Sequence, residues 1–144
     1  MTLTLHRIDE ILSVAPQIAP EDVSAIKAAE LATIVNNRPD GEEAGQPDGE
    51  AIRVAAEAAG IGYAAIPVTH AGFSYLQVTA MADVLAASGP VLAFCRSGTR
   101  SCHLWALARA TMGDDADDLT NRAAAAGYDI SAIRQLLDAS SPKD

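Results

Sequence analysis

Short apolar runs alternate with longer amphipathic stretches along this chain. Thr33-Ile34-Val35-Asn36 is one such run and predicts a short buried strand. Val91-Leu92-Ala93-Phe94 lies between the turn Gly89-Pro90 and a glycine-bearing loop, the mark of a central strand. Tyr63 to Val68 predicts another strand, with Pro67 near its end. Residues 3–14 read as extended, with one turn near Asp9. Pro20-Glu21-Asp22 opens a helix by placing proline early and acids in the first turn. Val23, Ile26 and Ala29 then fall on one face, and the helix ends near Glu30. Further helices are predicted over 50–59 (stopped by Gly60), 76–87 and 101–111. Two more follow over 118–126 and 130–139, separated by Gly127-Tyr128-Asp129. Residues 37–48 are polar and rich in Gly and Pro, so they form a loop, and 69–74 form another.

Strands alternating with helices imply right-handed crossovers and a mainly parallel sheet covered on both faces. The expected fold class is therefore α/β, three layers, with a mainly parallel sheet flanked by helices. In such sheets ligands sit at the carboxyl ends of the strands. Cys95 falls at that edge, immediately after Phe94.

The length of 144 residues suits a single domain over 1–144. Apolar residues make up 49% and charged residues 20%, which excludes a disordered chain. A net charge of −9 argues against nucleic acid and against anionic membrane surfaces as partners. Much of that acidity lies in residues 40–50 and 114–118, which read as solvated loops and helix starts, so no metal is assigned there. Two cysteines make no disulfide framework and fit a reducing compartment. With no long apolar stretch and an acid by residue 9, the expectation is a soluble, cytoplasmic protein.

Cys95-Arg96-Ser97-Gly98-Thr99-Arg100-Ser101 carries the chemistry. A thiol is a nucleophile as its thiolate, which helix N-termini, cations and hydrogen bonds favour. The loop supplies all three. Its backbone N–H groups from Arg96 to Ser101, including those of Ser97, Gly98 and Thr99, can curl round an anion. Gly98 permits a turn that a Cβ would resist. The helix beginning near Ser101 points its positive end at the loop. Arg100 is the natural bidentate clamp for an oxyanion, and Ser101 can donate to the thiolate or a leaving group. Arg96 faces outward, where it recruits an anionic substrate. A cysteine at a strand end is ordinarily a small buried hydrophobe. Two arginines and three hydroxyls in the next six residues outweigh that reading here. Cys102 reads as a buried helix residue, with a resolving thiol as the alternative. His103 reads as a surface or half-buried helix residue, Leu104 and Trp105 as core. His70 sits in a loop that can overhang the site.

Cys-x4-Arg followed by Ser resembles the active loop of rhodanese-type sulfurtransferases, and a shortened form of the loop of tyrosine and dual-specificity phosphatases. A wider resemblance runs through Ser13 to Ile18, Asn37 to Glu43, Gln46-Pro47, Ile66-Pro67-Val68, Cys95 to Ser101 and Leu104 to Leu107. On these segments the chain resembles the phosphatase-like domain family of beta-lactamase-hydrolase-like proteins. The resemblance implies a dual-specificity-phosphatase-like fold. It also implies a functional link to persulfide dioxygenases, to which some members are fused, and a role for the loop after Asn37. There Arg38 and Asp40 either line the pocket or pair with each other to pin the loop.

The chemistry stays open between two routes. A phosphatase needs an acid to protonate its leaving oxygen. Residues 67–79 contain no Asp or Glu, leaving His70 or Asp40 as substitutes. Sulfur transfer with sulfite as leaving group needs none. The leading expectation is a phosphatase-like hydrolase forming a covalent Cys95 intermediate on a small anionic or phosphorylated substrate, without cofactor. The alternatives are a rhodanese-like sulfurtransferase working through a Cys95 persulfide, and a redox or anion-sensing module.

Overall fold

The computed structural model of the chain describes residues 3–69, 71–87 and 89–142. Five strands form one sheet: β1 (His6–Arg7), β2 (Leu12–Ala15), β3 (Thr33–Asn36), β4 (Gly62–Ala65) and β5 (Val91–Phe94). Their spatial order is β1-β2-β5-β3-β4. β5 is central, parallel to β2 on one side and to β3 on the other. β4 adds in parallel to β3, and β1 pairs antiparallel with β2. Every β5 residue is buried, as expected of a strand covered on both faces.

Successive β5 side chains point to opposite faces and divide the core. Val91 and Ala93 join Leu12, Val14 and Val35 beneath four helices. These are α3 (Tyr75–Ala86), α4 (Thr99–Thr111), α5 (Ala116–Ala125) and α6 (Arg134–Ser140). Leu92 and Phe94 join Ile34 on the other face. There they meet Val23 and Ile26 of α1 (Val23–Ala28), and Ile52 and Ala56 of α2 (Gly49–Ala58). Trp105, Leu104, Ala106, Ala108 and Ala110 make α4 buried nearly all round, so it sits against the sheet with α3, α5 and α6 about it.

Local chemistry sets the element ends. Ser74 and Gln77 form a reciprocal capping box at the start of α3, with bonds of 3.3 and 2.7 Å. Asp115 caps α5 by accepting from Asp118 N at 3.2 Å. Asp114 pairs with Arg109 and Asp117 with Arg134, each at 2.8 Å. The acidic cluster is thus a helix start with ion-paired neighbours.

Several boundaries differ from expectation. β4 ends at Ala65 although the apolar run continues to Val68. Pro67 lacks the N–H a regular ladder needs, so of the backbone donors only Ile66 N and Val68 N reach the neighbouring segment, at 2.9 Å to Asn36 O and Asn37 O respectively. α4 begins at Thr99, not Ser101, because Gly98 O already accepts the first helical bond from Cys102 N at 2.9 Å. Ala29 is exposed and lies outside α1, beyond the last turn that packs on the sheet. No helix among the described residues is long and apolar enough to cross a membrane.

Candidate active site

Three parallel strands deliver their carboxyl ends to one rim. Cys95 leaves β5 there and remains tied to both neighbours. Its N–H donates to Ala15 O at 3.4 Å, while Asn37 N donates to Phe94 O at 2.9 Å. On the far side of the loop, Gln17 N donates to Arg96 O at 3.3 Å. The thiol is buried, with 1% of the residue exposed.

The backbone turns at Gly98, whose φ of 93° lies in the left-handed region that glycine adopts without a Cβ clash. That turn brings Gly98 N–H to 3.1 Å from Cys95 Sγ. Gly98 is also the N-cap of α4, so the sulfur sits at the positive end of a 13-residue buried helix. Gly98 alone donates a backbone N–H to the sulfur among the described residues, while Thr99 N turns to Ser97 Oγ at 3.4 Å. Ser97 Oγ and Thr99 Oγ1 bond to one another at 3.0 Å. Ser101 Oγ is buried and has no hydrogen-bond partner, so it gives the sulfur no bond in this arrangement.

Arg100 is held by three bonds. Nη1 and Nη2 donate to the two carboxylate oxygens of Glu42 at 2.7 and 2.8 Å, and Nη1 also donates to Val68 O at 2.8 Å. A guanidinium carries five N–H donors. Glu42 therefore occupies the end of the fork, and no oxygen among the described residues takes the edge formed by Nε–H and the second Nη2–H. The bond to Glu42, opposed by burial and reinforced by the nearby Cys95 sulfur, favours the charged guanidinium further. Arg96, 70% exposed in its side chain, faces outward as expected and reaches Glu43 only at 3.9 Å.

Glu42 was not among the expected site residues. Its carboxyl is pushed down to about 2, first by the Arg100 hydrogen bonds and then by Arg38, with burial opposing. Arg38 does not pair with Asp40. It is buried, and donates to Glu42 at 2.8 Å, Gln17 Oε1 at 3.0 Å and Glu43 at 3.1 Å. Asp40 instead accepts from Gly49 N at 2.9 Å, at the first turn of α2. Arg38 thus binds the loop of residues 37–48 to the rim, through Glu42 and onward to Arg100. The signal for Glu42 was only its place in the loop after Asn37; its partner lies 58 positions away.

Cys102 is fully buried one α4 turn beyond the loop, and burial first, then the Cys95 charge, pushes its thiol up to about 12. His103 is half-buried, its Nε2 without a partner and its ring edge-on to Phe73. Burial lowers its pKa, opposed by its contact with Asp129. His70 lies outside the described residues. No group of three or more His, Cys, Asp or Glu among the described residues is arranged to hold a metal ion.

This geometry has known counterparts. The family model for the phosphatase-like domain of beta-lactamase hydrolase-like protein matches residues 4–112. The chain belongs to that family. A beta-lactamase hydrolase-like protein of Agrobacterium fabrum is 36% identical over 134 residues, covering 92% of this chain and 31% of its own length. One from Xylella fastidiosa is 32% identical over 125 residues, covering 85% and 29%. This family member therefore spans about a third of the length of those curated relatives. Among solved structures, a candidate phosphatase from Neisseria meningitidis z2491 superposes with a TM-score of 0.80 at 38% identity, over 93% of this chain and 96% of that one. Kinase associated phosphatase shares the fold at 13% identity with a TM-score of 0.69, over 94% and 89%. The family's domain thus has a phosphatase-like fold of the type found in cysteine-based phosphatases, with a mostly parallel sheet flanked by helices.

Proposed function

We propose that this domain is a phosphatase-like hydrolase in which Cys95 is the nucleophile and Arg100 binds the oxyanion. One observation carries the reading. Cys95 Sγ accepts the Gly98 N–H at 3.1 Å at the N-terminus of α4, close enough to the Arg100 guanidinium to favour its charge. The sulfur attacks phosphorus as a thiolate; an S–P bond forms, and the P–O bond to the leaving group breaks, its electrons going to that oxygen. Water then attacks phosphorus, the S–P bond breaks, and thiolate and inorganic phosphate are released. Arg100 holds two phosphoryl oxygens through Nε–H and Nη2–H while charge shifts onto them. Arg96 meets the anionic substrate at the rim. No cofactor takes part in this scheme.

The proton inventory narrows the substrate. Glu42, the carboxyl nearest Arg100, is ionised at any pH where a thiolate works, and Asp40 is committed to Gly49 N. Glu42 therefore serves as no general acid, and one Asp40 oxygen is already taken; His70, the other candidate, lies outside the described residues. A missing acid costs about 10²–10⁴-fold for a poor leaving group and much less for one that departs as a stable anion. Small phosphoesters with acidic leaving groups, such as aryl phosphates, are therefore the substrates that call on no acid from these carboxyls.

The same observation favours a second reading, sulfur transfer. There Cys95 thiolate attacks the outer sulfur of thiosulfate, an S–S bond forms as another breaks, and sulfite leaves with the electron pair. An acceptor nucleophile then takes the outer sulfur and restores the thiolate. The expected link to a persulfide dioxygenase belongs to this reading alone. A redox switch between Cys95 and Cys102 is disfavoured by the burial that keeps Cys102 protonated.

One purified batch assayed in two arms decides between them, with Cys95→Ser and Arg100→Ala as controls. Nitrophenol release from an aryl phosphate, lost in both variants, supports the hydrolase. Thiocyanate formation from thiosulfate and cyanide without nitrophenol release overturns it in favour of sulfur transfer. Activity in either arm that survives Cys95→Ser overturns both.

A further inference from the structure

Tyr128 touches the active loop from outside. It follows Gly127 at the end of α5 and is half-buried, and the His6 ring packs edge-on against it at 5.6 Å between centroids. Its hydroxyl donates to Ser97 O at 3.1 Å. The peptide unit bearing that carbonyl also bears Gly98 N–H, which donates to Cys95 Sγ at 3.1 Å. In a trans peptide the C=O and N–H point in opposite directions. One planar group is thus held from both ends, by a phenol on its outer side and by the nucleophilic sulfur on its inner side.

The orientation needs such a hold. Gly98 has no Cβ, so rotation of the Ser97–Gly98 peptide meets little local resistance. Turned over, the unit would put a carbonyl oxygen beside the sulfur and repel a thiolate. Among the described residues no other donor bonds Ser97 O; Thr99 N bonds the Ser97 hydroxyl instead. The phenol also fills the space next to the turn. A Cβ placed on Gly98 would lie 2.3 Å from Tyr128 Oη and 3.1 Å from its Cζ.

We infer that Tyr128 is a positioning residue: by donating to Ser97 O it fixes the Ser97–Gly98 peptide with its N–H on Cys95 Sγ, and so sets the reactivity of that sulfur. This rests on the reading of Cys95 as the nucleophile. The phenol suits the task. Burial first, then the Cys102 and Cys95 charges, pushes its pKa up to about 12, so it stays a donor throughout the range of thiolate chemistry. The titratable groups around this unit are Cys95, Cys102 and His6 at the phenol, and Arg100 at the sulfur.

The test is Tyr128→Phe in the full chain, which keeps the ring and removes the bond. Alkylation of Cys95 by iodoacetamide is followed against pH and quantified on the Cys95 peptide by mass spectrometry. The rate at pH 7 is expected to fall about tenfold, the factor typical of losing a hydrogen bond to a charged group, and to approach the native rate at high pH. Exchange of the Gly98 amide is expected to quicken in parallel, with far-UV circular dichroism unchanged. An alkylation profile that superimposes on the native one overturns the inference. If the phenylalanine variant loses its fold, 3-fluorotyrosine at position 128, a stronger donor, replaces it; alkylation at pH 7 should then rise, and an unchanged rate overturns the inference. Alkylation needs no turnover, so a failure here is told apart from a failure of the nucleophile reading, which is sunk only if Cys95→Ser remains active.

Discussion

Glu42 shows how one carboxylate organises the site without doing proton chemistry. It takes the end of the Arg100 fork and leaves the side edge pointing clear of it. Glu42→Gln keeps the shape but removes the charge and one acceptor oxygen. Arg100 then loses its fixed orientation, and kcat/KM for an aryl phosphate is expected to fall about tenfold to hundredfold by steady-state kinetics. The same substitution has a signature in acid. The carboxyl is held at about 2 when folded against an ordinary 4.5, so the stabilisation is complete above about pH 4.5 and is lost as pH falls through about 2. The shift corresponds to at most about 3 kcal/mol, less the screening of a pair about one-fifth exposed. Acid unfolding followed by circular dichroism should therefore lose that part of its pH dependence in Glu42→Gln. At Cys102 the opposite holds: a thiol pushed up to about 12 is packing, not chemistry. Cys102→Ala should leave turnover within about twofold and lower the urea midpoint by about 1–2 kcal/mol of stability. The loop itself was legible because its residues are contiguous. Glu42 and Tyr128 were not, because each meets the loop only after the sheet has brought distant segments to one rim.

Elements were most legible where one signal acted alone. Thr33–Asn36 and Val91–Phe94 are strands with the bounds their apolar runs imply. Boundaries moved where two signals competed, as where Pro67 cut β4 short and Gly98 drew the start of α4 forward to Thr99. The end of α1 had no glycine to announce it. Glu30 takes the left-handed conformation instead, with φ 64°, its N–H donating to Lys27 O at 2.9 Å. Gly60 fills the equivalent place after α2 with φ 78°. Glu30→Gly is therefore expected to stabilise the fold by about 0.5–1 kcal/mol, read as a higher urea midpoint. The turn between β1 and β2 is a second local device. Asp9 Oδ1 accepts from Ile11 N at 2.9 Å and Leu12 N at 2.7 Å, while Oδ2 accepts from Trp105 Nε1 of α4 at 3.1 Å. Asp9→Ala would leave the indole N–H buried without a partner and is expected to cost about 2–4 kcal/mol. Trp105 is the only tryptophan, so its fluorescence reads the loss directly.

The fold class followed from the alternation of strands and helices, and the rim where the loops gather followed from a parallel sheet. The charge pattern at that rim could not be read in advance, because it depends on which loops meet. Arg38, Arg96 and Arg100 face Glu42 and Glu43 in one connected set of ion pairs, so the arginines are largely neutralised where they stand. The whole molecule carries −9. An approaching dianion therefore meets net repulsion at long range and attraction only when it reaches the free edge of Arg100. Salt separates the two scales. Charges act over about 30 Å at 0.01 M ionic strength, enough to sum the whole molecule, and over about 8 Å at 0.15 M, where the pocket dominates. Raising sodium chloride across that range should increase kcat/KM for a dianionic aryl phosphate about two- to fivefold, the reverse of a site that steers its substrate by a positive field. Chloride is the anion to use, since sulfate would compete for the arginine. A fall in kcat/KM with salt would mean that Arg96 and Arg100 project a positive field beyond the rim, and that the ion pairs with Glu42 and Glu43 open in solution.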